Sequence, residues 1–108
     1  MDKELALAER TVAVIALTKA MAVDHGPRGI RVNCVFPGPV YTPMVYMRGM
    51  TELARETRRS ASVLGVEGNG WDVGAAVRFL LSAQARFITG QVLGVDGGAT
   101  LVGPSRPS

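Results

Sequence analysis

Between Glu4 and Asp24 the chain contains neither glycine nor proline, and Leu7, Val14, Ile15, Leu17, Met21 and Val23 stand there among alanines. This stretch predicts one long helix with a wide apolar face, which must be covered by other elements. His25-Gly26-Pro27-Arg28-Gly29 stops it. Gly26 is expected to take the left-handed cap, and Pro27 cannot continue the hydrogen-bond ladder. Ile30 to Phe36 then alternates before running apolar, short and rich in β-branched residues, as a buried strand of a parallel sheet does.

With 108 residues, 47% of them hydrophobic and 19% charged, the chain is too apolar for a disordered polypeptide and too short for more than one domain. A net charge of +3 is a mild surplus without a basic tail or stripe, so no nucleic-acid partner is expected. One cysteine, Cys34, excludes an internal disulfide, and the single histidine, His25, leaves no histidine pair for a metal. Charges, glycine or proline interrupt every apolar run before the roughly 20 residues of a membrane span. Met-Asp-Lys-Glu at the start lacks the charge pattern of a secretory signal, so a cytoplasmic location is expected.

Further along, residues 44 to about 62 combine Met44, Met47, Met50 and Leu53 with Arg48, Glu52, Arg55, Glu56, Arg58 and Arg59, a polar helical segment. The interleaved signs favour a solvated helix face over a phosphate-binding stripe. Asn69 followed by Asp72 resembles a capping box at the start of a further helix. Val73, Ala76, Val77, Leu80 and Leu81 then form an apolar stripe that points away from Arg78. Gln91 to Val95 reads as a second strand, ended by Asp96-Gly97-Gly98. Residues 103–108 are expected to be a disordered tail. The order helix, strand, helices, strand implies a right-handed crossover and α/β architecture: the C-terminal part of a Rossmann-like, doubly wound parallel sheet, with about two parallel strands and three or more helices.

The segments VIALTKAMAVDHGPRGIRVNCVFPGPVYTPM and DVGAAVRFLLSAQARFITGQVLGVDGG resemble the C-terminal part of a short-chain dehydrogenase/reductase. The likeness covers about residues 12 to 102. It carries the Ile-Arg-Val-Asn strand, Pro-Gly-x-Val-x-Thr, a helix ending Phe-Leu-x-Ser, and Thr-Gly-x-x-x-x-Val-Asp-Gly-Gly. The resemblance implies that residues 1–102 form part of a Rossmann-like domain whose family moves hydride between NAD or NADP and an alcohol or carbonyl group. It also implies a homo-oligomer or association with a full-length family member. Pro37, Gly38, Val40 and Thr42 match the family segment that passes beside the nicotinamide; a strand-ending turn is the alternative reading of the same residues.

The departures are as specific as the matches. Counting back from Val14-Ile15-Ala16-Leu17-Thr18-Lys19 puts the family's catalytic Tyr-x-x-x-Lys on Leu7 and Thr11. A phenol is needed to exchange the proton with the substrate oxygen, and an ammonium to lower the phenol's pKa; Leu7 and Thr11 offer neither. Tyr41 and Tyr46 are followed four residues on by Val45 and Met50, so no other register restores the pair. The family's catalytic serine, its Asn-Ala-Gly motif and its Gly-rich cofactor turn belong before this helix and have no counterpart in the sequence. The glycines at 65, 68 and 70 follow no strand and read as a cap loop. No catalytic and no metal-binding residue is therefore expected, and the contacts left to the chain alone are expected to be too few to hold a cofactor. Cys34 reads as a buried structural thiol, His25 as a helix-end residue, and Asp96 as turn chemistry. Two accounts of function follow. One is an oxidoreductase-family chain that does not catalyse alone, whether a truncated paralogue or a reading frame begun late. The other is a non-enzymatic association module that pairs with itself or with a full-length relative.

Overall fold

The computed structural model describes residues 3–38, 40–41 and 51–101. Pro39, Thr42, Met44, Met47, Arg48, Met50 and the tail at 103–108 lie outside them. The described elements divide between two compact units: Met1–Cys34 with Phe79–Leu93, and Val35–Arg78 with Gly94–Ser108.

In the first unit, helix α1 runs Lys3–His25. Its packed side is narrower than the sequence suggests. Thr18 and Ala22 are buried and Thr11, Ile15 and His25 half-buried, a seam with helical spacing, while Val14, Leu17 and Val23 are exposed. Thr18 is admitted because its hydroxyl donates to Val14 O at 2.8 Å, so no polar atom is left unsatisfied. After His25 the chain tightens into a 3-10 turn, Gly26–Arg28, and reverses at Gly29, whose φ is 77° and whose N–H donates to Gly26 O. The left-handed cap is thus Gly29 and not Gly26. Pro27 has a φ that suits the start of a 3-10 turn, which postpones the reversal until after it.

Strand β1 is Cys34–Pro37 and starts later than Ile30. Side chains supply bonds at residues 32–33 that a ladder would otherwise make. Val32 N–H donates to Thr89 Oγ1 at 3.0 Å, Asn33 Nδ2 donates to Ile88 O at 3.1 Å, and Gln91 N–H donates to Asn33 Oδ1 at 3.0 Å. Arg31 gives Nη1 to Leu80 O at 2.7 Å and Nη2 to Ser82 O at 3.4 Å, and Lys19 Nζ reaches Gly90 O at 3.0 Å. Gly90, with φ 70°, sits where an added β-carbon would touch Ala22 Cβ at 3.4 Å.

Strand β1 forms a two-stranded sheet with the chain's last strand, Val92–Val95. The flanking bonds Gly90 N to Val32 O, Cys34 N to Gln91 O and Gly38 N to Val95 O rise together along both segments, the signature of parallel pairing. Between them lies the helical crossover that parallel neighbours require.

The second unit holds a pair that the sequence reading does not foresee: β2, Val40–Tyr41, lies parallel to β3, Gly68–Asn69, with Val40 opposite Gly68 and Tyr41 opposite Asn69. Two residues per strand are too few for any periodicity. Helix α2, Glu52–Ser60, falls inside the expected polar segment, and Thr51 Oγ1 caps it by accepting from Ala54 N–H at 3.1 Å. Helix α3, Gly70–Leu81, opens on the reciprocal cap expected from Asn69 and Asp72. Asn69 Oδ1 accepts from Trp71 and Asp72 N–H, and Asp72 Oδ2 accepts from Asn69 N–H at 2.8 Å. Along α3, Leu80 is buried but Leu81 is 78% exposed. At about 100° per residue Leu81 falls roughly 80° round the axis from Val73, at the margin of the stripe, and the helix ends there. Strand Val92–Val95, β4, ends in the turn Asp96-Gly97-Gly98, with φ of 60° at Gly97 and 84° at Gly98.

Candidate functional site

Of the four candidate cofactor-side residues, Pro37 and Gly38 are described in full, Val40 through its backbone, and Thr42 lies outside the described residues. Pro37 closes β1, a position that tolerates the missing N–H. Gly38 N–H donates to Val95 O at 3.0 Å. A β-carbon at Gly38 would lie 2.5 Å from Asp96 Cβ and 2.7 Å from Asp96 Cα. Only glycine fits there. This contact joins two motifs more than fifty residues apart in sequence, and neither one signals the other.

Asp96 is held from the far side. Its Oδ1 accepts from Gly98 N–H at 2.9 Å and its Oδ2 from Thr100 Oγ1 at 3.0 Å. The Gly98 N–H, with the Thr100 hydroxyl, holds the Asp96 carboxyl below the usual carboxylate range. The carboxylate is engaged in turn chemistry, and among the described residues no group of three His, Cys, Asp or Glu side chains is placed to hold a metal. Beneath the turn, a β-carbon on Gly97 would come within 2.9 Å of Ser62 Cβ, and Leu64 N–H donates to Gly97 O at 3.2 Å. Ser62 is buried and closes its own loop through Val66 O at 2.8 Å.

Two arginines of α2, Arg58 and Arg59, are occupied by carboxylates. Arg59 Nη2 bonds Glu52 at 2.9 Å and Glu56 at 2.6 Å, and its hydrogen bond draws the Glu52 carboxyl below its ordinary value. Arg58 Nε pairs with Glu67, whose side chain is largely buried. This supports a helix face balanced by its own charges over a phosphate stripe. The N-terminus of α3, which follows the glycines at 65, 68 and 70, is no phosphate cradle either. Its first N–H groups are taken by Asn69, and Asp72 puts a negative charge where an anion would sit.

Leu7 and Thr11 stand one turn apart in α1, and Thr11 belongs to the half-buried seam. Neither supplies an acid, a base or a cation. Cys34, the first residue of β1, is half-buried and gives its N–H to Gln91 O at 2.9 Å. His25 ends α1 and accepts from Arg28 Nη2 at Nδ1. His25 stands at the helix end expected of it, whereas Cys34 is less buried than expected.

A profile of the family described as Enoyl-(Acyl carrier protein) reductase matches residues 5–100. The chain is 42% identical over 88 residues to a 3-oxoacyl-(acyl-carrier-protein) reductase of Thermotoga maritima, covering 82% of this chain and 35% of that protein. It is 44% identical over 95 residues to an L-fucose dehydrogenase of Oryctolagus cuniculus, covering 82% and 32%. Among solved structures, a 4-hydroxyisoleucine dehydrogenase complexed with NADH superimposes with a TM-score of 0.75 at 35% identity, covering 84% of this chain and 37% of that one. The chain spans about a third of the length of the relatives it matches.

Proposed function

The chain belongs to the short-chain dehydrogenase/reductase family, and from that premise we propose that it forms the nicotinamide-facing, C-terminal part of an NAD(P)-dependent oxidoreductase fold that acts on alcohol or carbonyl groups. We further propose that these 108 residues do not catalyse by themselves. The observation that carries this is the pair Leu7 and Thr11, which occupies the family's proton-transfer positions without an ionisable group. A bound nicotinamide dinucleotide would supply or accept the hydride. Pro37, Gly38, Val40 and Thr42 are the residues that would face its carboxamide side. The described residues offer its phosphates no cradle, so the retained contacts are too few to hold a dinucleotide tightly.

The test is a turnover assay of the purified chain with NADH and NADPH on simple aldehydes and ketones, and with the oxidised cofactors on alcohols. No turnover above background is expected. Steady turnover abolished by Thr42→Val would overturn the reading.

A second reading, association with another copy or with a full-length relative, is favoured by α1. Leu17 is 59% exposed and Val14 and Met21 also meet solvent, an apolar stripe on a helix that has its packed seam elsewhere. A two-stranded sheet such as β1–β4 is marginal alone, which adds a reason for intermolecular cover. Sedimentation at micromolar concentration is expected to report dimers or larger species that Leu17→Glu weakens. A cooperative monomer indifferent to that substitution would remove this reading.

A further inference from the structure

We infer that Asp96 is a positioning residue for Gly38 and, through it, for Pro37 and the backbone of Val40, setting where the candidate nicotinamide-side strand end lies; the inference rests on the reading of those residues given above. The geometry has three parts. Gly38 approaches Asp96 so closely that a β-carbon would stand 2.5 Å from Asp96 Cβ, so the aspartate's own backbone and Cβ form the wall on which Gly38 rests. Gly38 N–H is bonded to the carbonyl of the preceding residue, Val95, at 3.0 Å, which sets the height of the contact. The wall is immobilised by the carboxylate, which accepts from Gly98 N–H at 2.9 Å and from Thr100 Oγ1 at 3.0 Å. Both bonds lie within the turn that follows β4, so they fix Asp96 itself and with it the surface on which Gly38 rests. The side chain thereby braces the contact on which Gly38 sits, two residues before β2 pairs Val40 with Gly68.

The role differs from that of a catalytic residue, because Asp96 touches Gly38 and acts on any ligand only through it. Removing the carboxylate while keeping the backbone should loosen Gly38 and Val40 together, whereas an isosteric amide, which keeps the shape, one oxygen to accept from Gly98 N–H and an NH2 that can donate to Thr100 Oγ1, should not.

The experiment is amide hydrogen exchange followed by NMR on the full 108-residue chain, comparing Asp96→Ala, Asp96→Asn and Thr100→Val, with Gly29 as a control remote in sequence. Asp96→Ala is expected to speed exchange at Gly38 about tenfold and to release Val40 with it, while Gly29 is unchanged. Asp96→Asn restores wild-type exchange at both, and Thr100→Val produces a smaller acceleration in the same direction. Should Asp96→Ala fail to fold, Thr100→Val decides: acceleration at Gly38 sustains the inference and wild-type exchange overturns it. Exchange altered at Gly98 but not at Gly38 in Asp96→Ala also overturns it, leaving Asp96 a turn residue only. Failure here is separable from failure of the functional reading, which is judged by turnover and not by exchange.

Discussion

The two compact units hold themselves together by different means. In the first, long polar side chains reach backbone carbonyls far away in sequence: Arg31 to Leu80 and Ser82, Asn33 to Ile88, Lys19 to Gly90. Its apolar residues contribute less than their number promises, since Leu17 and Val23 on α1 and Phe87, 95% exposed, meet solvent. In the second, backbone lies against backbone and small side chains where glycine permits it, at Gly38 over Asp96 and Gly97 over Ser62, and the ion pairs stay on or near α2. The lesson is that apolar content does not locate the sensitive positions. They are the long side chains of the first unit and the missing side chains of the second.

That contrast can be broken by substitution. Arg31→Ala removes a charged donor from two helix-end carbonyls, and is expected to cost about 2–3 kcal/mol in urea unfolding. Arg31→Lys should recover less than half of that, because an ammonium does not reproduce the fork. A loss below about 0.5 kcal/mol for Arg31→Ala would mean that the lacing does not hold the first unit. In the second unit Gly38→Ala forces a β-carbon into Asp96, and about 2 kcal/mol is expected from overpacking by the same measurement. A neutral result would show that the strand end shifts freely away from the turn.

Smaller effects sharpen the comparison. Asn69→Ala strips the N-cap of α3 and should cost about 1 kcal/mol, with Asn69→Asp retaining most of the stability. The smallest effect is a pH dependence at Asp96. Its carboxyl sits below the ordinary value of 3.8 in the folded chain, so the folded state binds fewer protons there than the unfolded state. Its stabilising contribution is therefore present above the ordinary value and is lost as pH falls through the lowered one. The urea midpoint of the wild type should drop more than that of Asp96→Asn on acidification from pH 5 to about pH 3. Parallel curves would show that the Gly98 and Thr100 bonds add nothing to folding.

Particular residues show why some of this was legible in the sequence. The Asn69 and Asp72 cap and the ends of α1 are written in residues within a few positions of one another, and local hydrogen-bond rules suffice to place them. The left-handed residue after α1 is Gly29, three positions beyond Gly26, because Pro27 suits both a helix stop and the start of a 3-10 turn. β1 starts later than its composition suggests because Val32 and Asn33 look like strand residues while their bonds go to Thr89, Ile88 and Gln91, partners that composition does not reveal. At the candidate site the motif names Pro37, Gly38, Val40 and Thr42 as candidates, but nothing near them in sequence names Asp96, on which Gly38 rests.

Periodicity, punctuation and motif order therefore determined the three helices and the strand pair β1 and β4, their sequence along the chain, the parallel α/β class and the family, but not the short pair β2 and β3. They also determined that Leu7 and Thr11 carry no proton-transfer chemistry, because an ionisable group is a property of the residue and needs no fold. Only the tertiary structure decided which face of α1 packs, which glycine reverses the chain, and that Gly38 rests on Asp96. Those outcomes depend on distances between residues far apart in sequence, which pairwise contact in space sets and local preference does not.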